Sequence, residues 1–135
     1  MSSEAVARVA RKYYDAWTSG DTDGALELIA PDAVFDLPRA GRMVGRDKYR
    51  PVLEEYQRIL NGSELIAIIA DDSSAFVYYV NHTALVADAP TVDYLTIEGG
   101  LITSSAVVFD RLPFELARRE AGLRRRASAV RSRRT

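Results

Sequence analysis

Three side chains in this sequence are of types that can move protons: Tyr13, His82 and Asp93. His82 is the only histidine, and Asp93 follows eleven residues later in "YYVNHTALVADAPTVDYLTI". Histidine titrates near neutrality and is a natural general base. An aspartic acid on an apolar face is held toward its neutral form, so it can donate a proton. A tyrosine hydroxyl beside a protonated carboxyl can stabilise an enolate. Together these groups suit proton abstraction next to a carbonyl, followed by isomerisation or aldol-type closure. Such chemistry needs no metal and no organic cofactor. The plainer alternative is that His82 is a packed strand residue, Asp93 bonds a tyrosine, and Tyr13 is core.

Whether His82 and Asp93 meet depends on the strands that carry them. Side chains alternate between the two faces of a strand. Over 91–98 the odd set, Thr91, Asp93, Leu95 and Ile97, has the larger aliphatics, so Asp93 is expected to face the core. Over 75–86 the even set, Phe76, Tyr78, Val80 and His82, is bulkier and is expected inside. A two-residue loop at Asp88-Ala89 would pair Ala84 with Asp93 and His82 with Leu95. The two polar residues would then be diagonal neighbours on one face. An odd-length loop would send one of them outside.

The remaining elements follow from periodicity and punctuation. Val6, Val9, Tyr13 and Trp17 recur at helical spacing over 3–19, with Ser2 or Ser3 as cap and Gly20 as stop. Asp21 can cap a second helix over 23–30, ended by Pro31. "AVFDL" at 33–37 alternates as a strand with Phe35 and Leu37 inward and Asp36 outward. Gly41 and Gly45 mark a loop. A third helix fits 48–60, its start confined by Pro51, and Asn61-Gly62 ends it. Four β-rich runs follow, separated by "DDSS", "DAP" and "GG", all turn chemistry. The expected class is α+β: a curved antiparallel sheet roofed by three N-terminal helices. Its apolar cavity is expected to be lined by Trp17, Phe35, Leu37, Tyr56, Tyr78, Leu95, Val107 and Phe109. Tyr13, His82 and Asp93 would be its polar points, and an apolar small molecule the ligand. Val77, Tyr79, Val92, Tyr94, Ala106 and Val108 would form an outer apolar face that pairs two copies into a homodimer.

Bulk properties narrow the classes further. The 135 residues suit one domain. With no cysteine, disulfides and thiolate metal sites are excluded, and one histidine argues against an all-protein zinc site. No apolar run reaches the length of a membrane span, and the start lacks the order of a signal peptide, so a cytoplasmic location is expected. Residues 1–110 carry 9 basic and 17 acidic side chains, a balance of −8, and residues 111–135 carry 9 arginines and 2 glutamates, a balance of +7. An acidic body repels phosphate, so nucleic acid is not its expected partner. Residues 113–135 form an Arg-rich extension, expected to be partly helical or disordered and without a specific partner. Leu116, Leu123, Ala127 and Val130 fall at helical spacing within it.

"YYDAWTSGDTDGALELIAPDAVFDLP", then "GRMVGRD", a helix and four strands, resembles the nuclear transport factor 2-like fold. Within that fold residues 1–112 are similar to SnoaL-like polyketide cyclases and ketosteroid isomerases. The resemblance implies that Tyr13 stands where the isomerases keep the tyrosine of their oxyanion hole, and Asp93 where they keep its aspartic acid. The isomerase's catalytic base falls on Leu37, with Asp36 one step away, a departure that speaks against steroid isomerisation. SnoaL-like cyclases combine a strand histidine with an aspartate on the next strand, which His82 and Asp93 match. The substrate so implied is a polyketide-like or other polycyclic ketone. The fold also hosts epoxide hydrolases, which use an Asp–Arg–Asp set, and binders or association modules that do no chemistry. No strand of this sequence offers an inward arginine for the epoxide reaction.

Overall fold

The computed structural model describes residues 1–134, with the side chains of 132–134 left aside. The order of elements is α1 (Ser3–Thr18), α2 (Thr22–Glu27), β1 (Ile29–Leu37), β2 (Gly41–Val44), α3 (Arg46–Ile59), β3 (Leu60–Ala70), β4 (Ser74–Thr83), β5 (Ala89–Glu98), β6 (Leu101–Phe109) and α4 (Leu112–Arg134). The six strands form one sheet in the order β2-β1-β6-β5-β4-β3. All neighbours are antiparallel except β1 and β6, which run parallel. Register shifts put extra residues on β3 against β4 and on β6 against β5, and such bulges bend the strands that carry them.

Local chemistry accounts for the element ends. Ser2 Oγ accepts from the Ala5 N–H at 3.1 Å, and Asp21 Oδ1 accepts from the Gly24 N–H at 3.0 Å, so each side chain caps a helix. The β5–β6 hairpin turns on Gly99 and Gly100, with φ of 59° and 82°. Two successive residues with positive φ match the twist of the flanking strands, and glycine adopts them without a Cβ penalty.

Three elements differ from the sequence expectation. The second helix stops at Glu27, and Pro31 lies inside β1 rather than ending a helix. Residues 41–44 are not a loop but the edge strand β2, paired with β1 from Val34↔Val44 to Leu37↔Gly41. Asn61-Gly62 lies within β3, which takes over directly from α3. The Arg-rich extension is one helix from Leu112, running through Gly122.

The concave face of the sheet holds the core. Val6, Tyr14 and Trp17 of α1 and Leu53 of α3 pack onto Phe35, Val77, Leu95, Ile97 and Ile102. Complete burial of a large apolar side chain contributes about 1.5–3 kcal/mol. Phe35, Leu95, Ile97 and Ile102 are all at most 1% exposed. On β5 the odd residues face inward, as alternation predicts.

On β4 the expected faces are reversed. Ala75, Val77, Tyr79, Asn81 and Thr83 are buried, while Phe76 and Tyr78 are 51% and 41% exposed. Both sets are apolar, so bulk does not decide between them. The register does: Val77 pairs with Asp93, Tyr79 with Thr91 and Asn81 with Ala89. Residues 84–88 connect the strands, an odd number, and Thr83 organises the turn. Its Oγ1 accepts from the Val86 N–H at 2.9 Å, and the Thr83 N–H donates to the Val86 carbonyl at 3.0 Å. His82 therefore lies on the face opposite Asp93.

Candidate functional site

A cavity of about 660 Å³ lies between the concave face and helices α1 and α3. Tyr13 and Trp17 reach it from α1, Tyr49, Val52 and Tyr56 from α3, and Leu37 from the end of β1. Tyr79, Asn81, Thr91, Asp93, Val107 and Phe109 form its floor. Leu85, in the turn that Thr83 organises, also reaches it.

The sheet brings Asp93 to the cavity because it is an inward residue of β5, between Thr91 and Leu95. The Tyr79 hydroxyl donates to Asp93 Oδ1 at 2.7 Å. Removal from water disfavours the charged carboxylate and pushes Asp93 up to about 7, against the lowering effect of the Tyr79 hydrogen bond. The charge of Asp93 in turn raises Tyr13, Tyr49, Tyr56 and Tyr79, in each case secondary to burial. These four phenols stay protonated across the physiological range.

Tyr13 and Tyr49 share one hydrogen bond, at 3.0 Å between their oxygens. Two hydroxyl protons serve one bond, so one O–H remains able to donate. The Tyr49 ring is fixed by stacking on Phe35, with centroids 4.1 Å apart and planes at 7°. A second polar point is Asn81, whose Nδ2 donates to the Tyr56 hydroxyl at 2.9 Å.

The first turns of α4 wall the mouth. Arg111, just before the helix, donates to the Pro38 carbonyl at 2.7 Å and to Glu115 Oε1 at 2.8 Å. This ties α4 to the β1–β2 turn, from which Arg39 also lines the opening. Phe114 is buried, edge-on to Phe109 at 5.3 Å, and the Arg118 guanidinium lies 5.9 Å above the Phe114 ring.

The structure thus brings together Tyr13, Asp93, Trp17, Leu37, Tyr56, Val107 and Phe109. Phe35 and Leu95 lie in the packed core and not on the cavity wall. Tyr78 points to the outer face. His82 is outside the cavity altogether: its Nδ1 is 3.0 Å from the Ala87 carbonyl and 2.9 Å from Asp88 Oδ1, and its Nε2 is 3.6 Å from Glu64 Oε1. The Ala87 carbonyl first, then Asp88 and Glu64, raise the imidazole above its ordinary value. His82 and Asp93 form no dyad, because five connecting residues give a register that separates them. Tyr79, expected on the outer face, lines the cavity instead, and Tyr49, Asn81 and Phe114 were not singled out from sequence. Of these, Tyr49 alone had a local signal, lying four residues before Leu53 on the α3 stripe.

This arrangement is a carboxyl that exchanges a proton near neutrality, beside phenols able to hold an oxyanion, inside an apolar cavity on an α+β scaffold. The fold is NTF2-like, shared with several solved bacterial proteins. The SnoaL-like domain matches residues 10–105, and the chain belongs to that family. A crystallised protein from Kribbella flavida is 37% identical, with a TM-score of 0.84 over 87% of this chain and 97% of its own. A putative ketosteroid isomerase from the same organism is 24% identical, TM-score 0.72, covering 80% of this chain and 79% of its own. A putative polyketide cyclase from Xanthomonas campestris is 21% identical, TM-score 0.70, covering 80% and 92%. The last two likenesses establish the fold alone. No curated protein matches the chain. No helix among the described residues is long and apolar enough to cross a membrane.

Proposed function

We propose that this protein is a cofactor-free enzyme of the cytoplasm that transfers protons next to a carbonyl, on a polyketide-like or other polycyclic ketone. The observation that carries this reading is Asp93: buried, lining the cavity, and raised to about 7 by its surroundings. As carboxylate it removes a proton from the carbon next to the ketone. The electron pair of that C–H bond moves into the enolate, whose oxygen accepts a hydrogen bond from the Tyr13–Tyr49 pair. Asp93, now protonated, returns the proton to a different carbon, giving isomerisation. Alternatively the enolate carbon attacks a second carbonyl of the same molecule, and Asp93 protonates the new alkoxide, giving aldol closure. His82 has no part in either path.

The experiment is hydrogen–deuterium exchange at the carbons flanking the ketone of 2-tetralone, followed by NMR. Asp93→Asn keeps the shape and removes the titrating proton, so exchange should fall about 10²–10⁴-fold. His82→Gln should leave it unchanged. Full exchange by Asp93→Asn would overturn the assignment.

A second reading is ligand binding without turnover, and the size of the cavity favours it. About 660 Å³ is ample for a drug-sized molecule. Under that reading 2-tetralone binds equally to wild type and Asp93→Asn, and neither exchanges its protons.

We also propose a homodimer through the outer sheet face. Ile66, Ile69, Phe76, Tyr78, Tyr94 and Val108 leave it between 40% and 70% exposed per residue, more apolar surface than a soluble monomer ordinarily bares. Val77 and Tyr79 are not part of this face, since both are buried on the other side.

A further inference from the structure

Asn81 is 1% exposed, lines the cavity, and its Oδ1 has no hydrogen-bonding partner among the described residues. Among the described residues no other buried side-chain nitrogen or oxygen is left so. A buried acceptor left unmatched has lost its water without gaining a partner, so it favours any ligand that can donate to it. Its own Nδ2 is engaged with the Tyr56 hydroxyl, which accepts there and so keeps its proton free to donate. The pair thus offers one acceptor and one donor side by side. A ketone or an ether, which can only accept, could use only part of this set. A hydroxyl uses both, accepting from Tyr56 and donating to Asn81 Oδ1. If the amide is turned over, Tyr56 donates to Oδ1 and Nδ2 is free, and a hydroxyl again uses both partners, accepting from Nδ2 and donating to the Tyr56 oxygen, where a ketone or ether can only accept.

The sheet register fixes where this point lies relative to Asp93. Asn81 pairs with Ala89, four residues before Asp93 on β5. At about 3.3 Å per residue the two backbone positions are roughly 13 Å apart along the strands. Tyr79, midway between them in the register, donates to Asp93, and Tyr56 reaches down from α3 to accept from Asn81.

We propose that Asn81 and Tyr56 form a second polar subsite, which selects ligands carrying a hydroxyl at the end remote from the carbonyl. This rests on the ketone reading above only for the ligand end that meets Asp93. Asn81 is a specificity residue here and takes no part in proton transfer.

The test compares 2-tetralone, 6-hydroxy-2-tetralone and 6-methoxy-2-tetralone, which share one skeleton and differ at the far end from the ketone. Binding is read from quenching of Trp17, the only tryptophan, which lines the cavity. Wild type is expected to bind the hydroxy compound about tenfold more tightly than the other two, the worth of one well-made buried hydrogen bond. Asn81→Leu should abolish that preference with little change in the melting temperature of the unliganded protein, because removal of the unmatched Oδ1 offsets loss of the hydrogen bond to Tyr56. Tyr56→Phe, which keeps the ring, should reduce the preference as well. Equal binding of the three compounds by wild type, no measurable binding of any, or a preference that survives in Asn81→Leu overturns the proposal. The proton-transfer reading fails separately: exchange on 2-tetralone would be absent while the hydroxyl preference persists.

Discussion

At the scale of single residues, one carboxyl is kept from water. Asp93 gives up its proton at about 7 in the folded chain, against an ordinary 3.8. Between those values the folded state holds more protons than the unfolded one. The stability this contributes is complete below about pH 4 and is lost as pH rises through 7. At about 1.4 kcal/mol per unit, the buried charge destabilises the fold by a few kcal/mol above neutrality. His82 is also raised, so its contribution runs in the same direction above 6.5. The comparison with Asp93→Asn isolates the aspartate. The variant is expected to melt higher than wild type at pH 8 and to show little difference from it at pH 4. Melting curves that stay parallel across this range would contradict the assigned burial. Asp93 was legible in the sequence because Leu95 and Ile97 share its face of β5. His82 was misread because β4 is apolar on both faces, and polarity alone gives no reason to bury Asn81 in its stead. The partner that makes Asn81 tolerable, Tyr56, lies 25 residues away on α3.

At the scale of elements, two helix caps and the Gly99-Gly100 turn were legible, while Pro31, the Gly41–Gly45 segment, Asn61-Gly62 and the mouth of the cavity were not. Ser2, Asp21 and Gly99-Gly100 act through neighbours close in sequence, so short-range patterns expose them. β2 is four residues long and has no pattern of its own; it exists because β1 offers an edge. The start of α4 is similar. Nothing beside Phe114 in sequence marks it for burial, since Leu112 and Leu116 stay exposed; Phe109, at the end of β6, packs against it. Phe114→Ala removes that contact and opens the wall. It should destabilise the protein by about 3 kcal/mol, typical of a buried phenylalanine cut to alanine. It should also weaken binding of 2-tetralone severalfold, measured by Trp17 quenching. An unchanged dissociation constant would show that α4 merely rests beside the cavity.

At the scale of the whole molecule, one sheet serves two surfaces. Its concave face holds the core and the cavity, and its outer face bares a band of apolar side chains that includes the Phe76–Tyr94 pair, 4.7 Å between ring centres. Sedimentation should find a dimer at micromolar concentration, and Phe76→Lys should shift it to monomer while sparing ligand binding. A wild-type monomer would leave that face unexplained. The architecture was legible as a whole, since helices followed by four β-rich runs leave few ways to build an α+β layer. The detail of which strand face turns inward was set by one five-residue connection, whose length the sequence did not disclose. What this scaffold does for function reduces to the state of Asp93, and that state is directly measurable. The side-chain carboxyl carbon of Asp93, assigned by its loss in Asp93→Asn, can be followed by carbon-13 NMR as pH is varied. A midpoint near 7 is what the buried, tyrosine-ringed site predicts. A midpoint near 4 would mean that water reaches the carboxyl freely, and the case for Asp93 as a neutral-pH acid and base would fall with it.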